Sequence, residues 1–313
     1  MLLVTLVASL SATALWQQWR GIEVETAERA RVQSAWVLQG ALDWARLILR
    51  EDGRAGGTDH LAEPWAVPLQ EARLSTFLAT DGGASNNAEA LPEAFLSGEI
   101  SDLQARLNIT NLIESGRPHP PSLRAFARLF EVLRLPESEL TALTQNLQLA
   151  LEPAPTASSG ALARTSSARS VALVPRTLDQ LAWLGLSHTS ITALRPYVAV
   201  LPERTTVNLN TASTLVLYAC IPTLSLSNAQ RLVAMRAQSP YQTVADARKA
   251  IGAADTPAPE GQLGVGSRFF EVRGQLRLDT RVVQERSLVQ RDGLVVKVLW
   301  RERVALPLTA SLQ

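Results

Sequence analysis

The chain begins with an apolar run that passes into an amphipathic one without a break. No side chain from Met1 to Trp19 is charged, and Met1 to Trp16 is apolar apart from Thr5, Ser9, Ser11 and Thr13. Isolated hydroxyls are tolerated in such a helix because each can bond back to a carbonyl one turn earlier. A hydrocarbon core takes about 20 apolar residues as helix, so this run nearly spans a bilayer, with Arg20 at the water boundary. Leu2, Leu3, Val4, Leu6, Val7, Leu10, Leu15 and Trp16 are the expected membrane anchor. Charges then appear at Glu23, Glu25, Glu28, Arg29 and Arg31, while Ala35, Leu38, Leu42, Ala45 and Leu49 recur on one helical stripe. That stripe packs the helix on a soluble domain and is the candidate partner-contact face. No proline intervenes before Pro64, so one helix of roughly 75 Å is predicted from Met1 to Arg50. Gln17-Gln18-Trp19-Arg20 offers no small-residue cleavage site, so the helix is expected to be retained.

Beyond it, Glu51-Asp52-Gly53 ends the helix, and Pro64 and Pro68 hold the backbone extended around Trp65, a packing plug. Asp81 to Ser85 reads as an exposed loop. From Leu103 to Ile109 the period is two, which predicts a strand with one wet face. Helices follow from Pro120 and from Glu137 to Leu151, then a mobile stretch from Pro153 to Ser170 rich in Pro, Ala, Ser and Thr. Further helices carry start signals: Thr177 with Gln180, Asn210, Ser227 with Gln230, and Thr243, the last helix stopping at Gly252. After a flexible Ala253 to Gly266, Phe269 to Leu278 alternates again, with Phe270, Val272, Gly274 and Leu276 on one face. Asp292-Gly293 then signals a hairpin between two more strands. The fold class is α+β: a long helix covering an antiparallel sheet, with a large all-α insert between its first strand and its last three.

Composition removes several function classes. With 46% hydrophobic residues in a chain of 313 there is ample material for one or two cores. A net charge of +1 gives no electrostatic case for nucleic acid. Cys220 lies in an apolar run and reads as a buried hydrophobe. His60, His119 and His188 stand far apart without partners at ligand spacing, and Ser187-His188 has no accompanying nucleophile-elbow motif. No enzyme activity is expected.

The helix-then-sheet plan is that of the pilins, and local strings narrow it. Leu15-Trp16-Gln17-Gln18, His60-Leu61-Ala62-Glu63-Pro64-Trp65-Ala66, Ile100 to Asn108, Leu194-Arg195-Pro196-Tyr197-Val198, Val207 to Ala212 and Val283 to Val289 together resemble the K-type minor pseudopilins of the type II (general) secretion pathway, over most of the chain and in order. The resemblance implies a pilin-like fold with an inserted α-domain that holds a SAM-like, helix-hairpin-helix-like module. Its divisions here are 1–20 for the transmembrane half-helix, 21–113 for the first pilin part, 114–266 for the insert (module 177–252) and 267–313 for the last strands. It further implies a single-pass inner-membrane protein with its soluble part in the periplasm. There it caps the pseudopilus tip with the I and J minor pseudopilins, initiates assembly and supports export of folded proteins. Family members are processed by the prepilin peptidase after a short basic leader ending in glycine. This chain starts inside the apolar stretch, so a truncated or late start is expected. Calcium is associated with the family, but Asp59, Asp81, Asp102 and Asp279 lack a binding-loop spacing and read as solvated loop carboxylates; no metal ligand is assigned.

The rival reading is a membrane-anchored DNA-binding protein. Val207 to Gly252 resembles helix-hairpin-helix modules, but its hairpin, Ile221 to Leu226, has no glycine where a phosphate must approach the backbone. Arg231, Arg236, Arg248 and Lys249 make only a modest basic excess there. Protein contact is the preferred use of the module.

Overall fold

Helix α1 (Leu2–Ala55) is continuous, as its unbroken helical spacing predicts. The computed structural model describes residues 2–74, 94–152, 173–251, 261–278 and 281–306. Among the described residues, no helix is long and apolar enough to cross a membrane. The apolar run explains this: about 16 residues rise only about 24 Å against a core of about 30 Å, and Gln17 and Gln18 follow.

The second half of α1 lies on a five-stranded antiparallel sheet. Its strands are β1 (Leu69–Arg73), β2 (Ala94–Asp102), β3 (Phe269–Leu278), β4 (Arg281–Asp292) and β5 (Val295–Leu306), in spatial order 1-2-3-4-5. Leu42, Ala45 and Leu49 of α1 meet Phe270, Val272, Val289 and Val296, with Trp65 set edge-on to Phe270 at 5.2 Å between ring centres. Lower down, Leu38 packs with Leu96 and Leu276. One row crosses the whole sheet under the helix: Leu69, Gly98, Gly274, Glu285 and Arg303 are successive cross-strand partners. Glu285 is buried and its carboxylate is held by Arg301 and Arg303, Arg301 reaching on to Gln39 of α1. At the top, the close of α1 touches the β4–β5 hairpin. A Cβ on Gly53 would stand 2.9 Å from the Gly293 carbonyl oxygen, and Gly293 itself turns the hairpin at φ +60°.

Three sequence expectations are corrected here. The strand comes before Leu103, not after it, and the chain leaves the sheet at Asp102 rather than near residue 113. Asp102 accepts from the Gln104 N–H and starts a 3-10 turn, Leu103–Ala105, and a second such turn spans Ile109–Leu112. Gln104 and Asn108 are as buried as Leu103 and Ile109, so there is no wet face. The extended Pro68 region also continues as edge strand β1. Finally, Leu263–Gly264, read as flexible, pairs in parallel with Val207–Asn208.

The insert has its own core. Helices α2 (Pro120–Val132), α3 (Glu137–Leu151), α4 (His188–Leu194), α5 (Thr214–Cys220), α6 (Leu226–Gln238) and α7 (Val244–Ala250) surround Phe126, Phe130, Leu143, Leu181, Leu194 and Leu217. Thr177 with Gln180 and Thr243 with Asp246 form capping boxes, although Thr177 opens a 3-10 helix. Two caps lie elsewhere than expected: Ser213 caps α5 and Ser225 caps α6. Asn210 instead holds both the N–H and the carbonyl of Tyr241. The loops expected at 81–85 and 153–170, and the Gly252 stop, fall outside the described residues.

Candidate partner interface

Helix α1 has two apolar faces, and one is buried inside the chain. Leu38, Leu42, Ala45 and Leu49 are buried against the sheet, with Ala35 half-buried beside them. The stripe expected to meet partners is therefore spent on the chain's own core. Val32, Trp36, Gly40, Trp44 and Leu47 run along the opposite side, since residues two apart on a helix differ by roughly 200°. They are open to solvent: Trp36 is 72% exposed, Val32 52%, Trp44 43% and Leu47 42%. Among the described residues, nothing beyond the helix's own neighbouring backbone comes within 4 Å of where a Gly40 side chain would begin. An exposed glycine inside a helix costs about 1 kcal/mol against alanine and relieves no contact here. Toward the N-terminus Leu3, Val4, Leu6, Val7, Leu10, Leu15 and Trp16 are likewise more than half exposed on every side of the helix. The Ser9 and Thr13 hydroxyls donate to the carbonyls of Leu6 and Ser9, and the Arg20 guanidinium sits 5.4 Å from the Trp16 ring centre.

A buried polar junction joins helix, sheet and insert. Asp102, at the end of β2, accepts from Ser267 Oγ at 2.6 Å, Thr211 Oγ1 at 2.5 Å and Asn208 Nδ2 at 3.2 Å. Asn208 Nδ2 also reaches Ser267 Oγ and the Asp59 carbonyl. Burial raises the Asp102 pKa to about 6, and the hydroxyl and N–H donors offset only part of that. Above it, Arg291 donates to Asp52, to Asp59 and, at 2.9 Å, to the Ser267 carbonyl. Asp52 is pushed to about 6 by burial and by the neighbouring charge of Glu63, which together outweigh Arg291. Asp59 and Asp102 are thus buried network members and not solvated carboxylates; Asp81 and Asp279 lie outside the described residues. Sequence spacing could not find this group, because its members are brought together from α1, the loop after it, the insert and the hairpin.

Asp52, Asp59 and Glu63 bring carboxylate oxygens within 4.8 Å of one another, the donor type that calcium takes. They do not fit it as folded. Arg291 already holds two of the three, and Glu63 accepts from the His60 N–H and Trp65 Nε1 at 2.8 Å each. The cluster is an ion-pair network.

Two of the four basic residues singled out between 207 and 252 bond within the chain. Arg236 is buried, donates to the Leu209 carbonyl, and burial lowers its pKa to about 10. Arg231 donates to the Ala250 carbonyl. Cys220 is buried with its thiol pushed up to about 12 by burial, which keeps it protonated and unreactive. Ser187 caps α4, and the His119 ring accepts at the start of α2.

Comparison with known proteins decides among these readings. Two models of the type II secretion system protein K family match residues 105–203 and 207–266, together just over half of the chain. The type II secretion system protein K of Pseudomonas aeruginosa is 28% identical over 311 residues, covering 94% of this chain and 88% of the relative. The chain belongs to the type II secretion system protein K family. It is a minor pseudopilin, and the DNA-binding alternative finds no support. Its fold is similar to that in the crystal structure of the GspK–GspI–GspJ complex from the enterotoxigenic Escherichia coli type 2 secretion system. The TM-score is 0.67 at 18% identity, with 89% of this chain and 98% of that one covered. For a protein K, whose role is structural, the surface of interest is the exposed apolar stripe of α1.

Proposed function

We propose that the chain caps the tip of the periplasmic pseudopilus with the I and J minor pseudopilins, initiates its assembly and so supports export of folded proteins across the outer membrane. One observation carries this reading: the outer stripe of α1, with two tryptophans one turn either side of Gly40, is apolar and exposed. Small residues let helix backbones approach closely, and aromatic side chains anchor interfaces. The relative solved in complex with GspI and GspJ supports the choice of partners. The architecture is read as pilin-like, with a SAM-like module at 177–252 used for protein contact and not for nucleic acid. The apolar start of α1 is read as the inner-membrane anchor, the soluble part lying in the periplasm and processing falling to the prepilin peptidase. Its exposed leucines and valines support that reading, as do Trp16, Trp19 and Arg20, the residue types of a membrane boundary. A run shorter than the bilayer is accommodated by local thinning.

The test is co-purification of the full chain, in detergent, with I- and J-type pseudopilins. Recovery of a defined complex, lost on Trp36→Glu and Trp44→Glu while the melting temperature holds, is expected. No complex with either partner, or undiminished complex from both variants, would overturn the proposal.

A further inference from the structure

The sheet ends in β5, and that edge is long. Among the described residues β5 (Val295–Leu306) pairs only with β4, whereas the opposite edge, β1, has 5 residues and is interrupted by a register shift. The register fixes which backbone groups of β5 point outward. The Arg291 N–H donates to the Arg268 carbonyl at 2.7 Å, on the β3 side, so Arg291 turns its backbone away from β5. Its cross-strand partner Val296 therefore presents its N–H and C=O to the outside. By the same alternation Val289, Ser287 and Glu285 face β3. Val298, Arg301 and Arg303 opposite them face outward, with Leu299 as the extra residue of a bulge. Helix α1 closes the start of this edge. Arg46, held by Asp43 at 2.8 Å, donates to the Val296 carbonyl from Nε at 3.1 Å and from Nη2 at 2.9 Å. The run from Val298 to Arg303 remains, roughly 17 Å of strand.

An edge of unpaired backbone groups is a template for another strand, and the side chains along it select which. Lys297, Arg301 and Arg303 are exposed. Arg301 and Arg303 share the single carboxylate of Glu285, and Glu302, the one carboxylate in the run, is paired with Arg286. The edge thus keeps a positive excess. A second copy is disfavoured, because the antiparallel pairing that matches the outward residues sets Arg301 opposite Arg303, and like charges directly opposite are destabilising. A strand with carboxylates at alternate positions places them beside Arg301 and Arg303, which share one face of the sheet. We infer that the open edge of β5 is a strand-addition site for an extended acidic segment of another protein chain, seated between Val298 and Arg303. The inference stands apart from the tip-assembly reading and does not depend on it.

Fluorescence anisotropy of the full chain in detergent tests it with two labelled heptapeptides, one alternating glutamate with valine and the other lysine with valine. The glutamate peptide is expected to bind about tenfold more tightly than the lysine peptide and to lose about threefold on Lys297→Glu, an exposed position outside the core. Val298→Pro removes one outward N–H without touching the ladder to β4, and is expected to weaken the glutamate peptide about tenfold. Hydrogen exchange read amide by amide is expected to show Val298, Arg301 and Arg303 slowed by that peptide, while Lys297 and Glu302, whose amides face β4, stay unchanged. Equal binding of the two peptides, no binding of the glutamate peptide, or binding that leaves the three outward amides unprotected overturns the inference. If Val298→Pro fails to fold, Lys297→Glu and the exchange pattern decide.

Discussion

Replacing Arg291 with methionine tests whether the buried junction at the top of α1 is an ion-pair network. Methionine keeps an apolar stem beside Phe270, whose ring centre lies 5.1 Å from the guanidinium carbon, and removes only the charge and its donors. Arg291, Asp52 and Asp59 have side chains 11%, 10% and 6% exposed. Removing one partner of a buried pair costs about 3–5 kcal/mol, because the other charge is left uncompensated. Asp52 can relieve that cost by protonating. Its folded pKa, about 6, already stands above the ordinary value of 3.8 through burial and the charge of Glu63, and losing Arg291 raises it further. A raised carboxyl favours the folded state below its unfolded pKa, and that contribution is lost as pH rises through the folded value. The loss in the variant is therefore expected to be about 3–5 kcal/mol at pH 7.5 and about half of that at pH 5. Urea unfolding of the full chain in detergent, followed by tryptophan fluorescence at both pH values, measures it. Equal losses at the two pH values, or a loss below about 1 kcal/mol, would refute the reasoning.

Three further outcomes are expected. Leu276→Asp puts a carboxylate at a fully buried position facing Leu38 and should abolish cooperative unfolding; an unchanged circular dichroism melt would show the strand register to be wrong. Leu10→Arg should cost about 2.5–3.5 kcal/mol of membrane insertion and stop secretion while the soluble part stays folded, and normal secretion would count against the anchor. Gly40→Ala should stabilise α1 by up to about 1 kcal/mol yet lower recovery with partners, so a gain in both would remove the close-approach argument.

Periodicity revealed α1, the last three strands and most insert helices because apolar residues recur in them at helical or strand spacing. It misplaced the first central strand for a physical reason. Residues 94–102 carry Gly98 and alternate poorly, whereas Leu103, Leu107 and Ile109 are spaced like a strand but are buried by turns that Asp102 and Asn108 cap. The caps at Ser213 and Ser225 were masked by neighbours with equally good side chains, Asn210 and Ser227. Periodicity also shows that a helix face is apolar without showing what covers it, which is why Leu38 and Leu42 read as partner residues. The outer stripe is hard to read from spacing because Gly40 interrupts it and Trp36 and Trp44 are sparse along it.

The two faces of α1 follow from one constraint. A helix covering a five-stranded sheet needs a single apolar stripe, and Leu38, Leu42, Ala45 and Leu49 supply it at spacings of 4, 3 and 4. A second stripe adds exposed apolar surface, which in water promotes association. Val32, Trp36, Trp44 and Leu47 form such a stripe on the far side. The junction of Asp59, Asp102, Asn208 and Arg291 works in the opposite sense. Its bonds are directional and satisfied internally, so it fixes how the insert stands on the sheet while offering little to a partner. In the proposed assembly, recognition therefore falls to the apolar outer side of the helix, and the polar joint holds the bulk of the insert in a fixed position beside it.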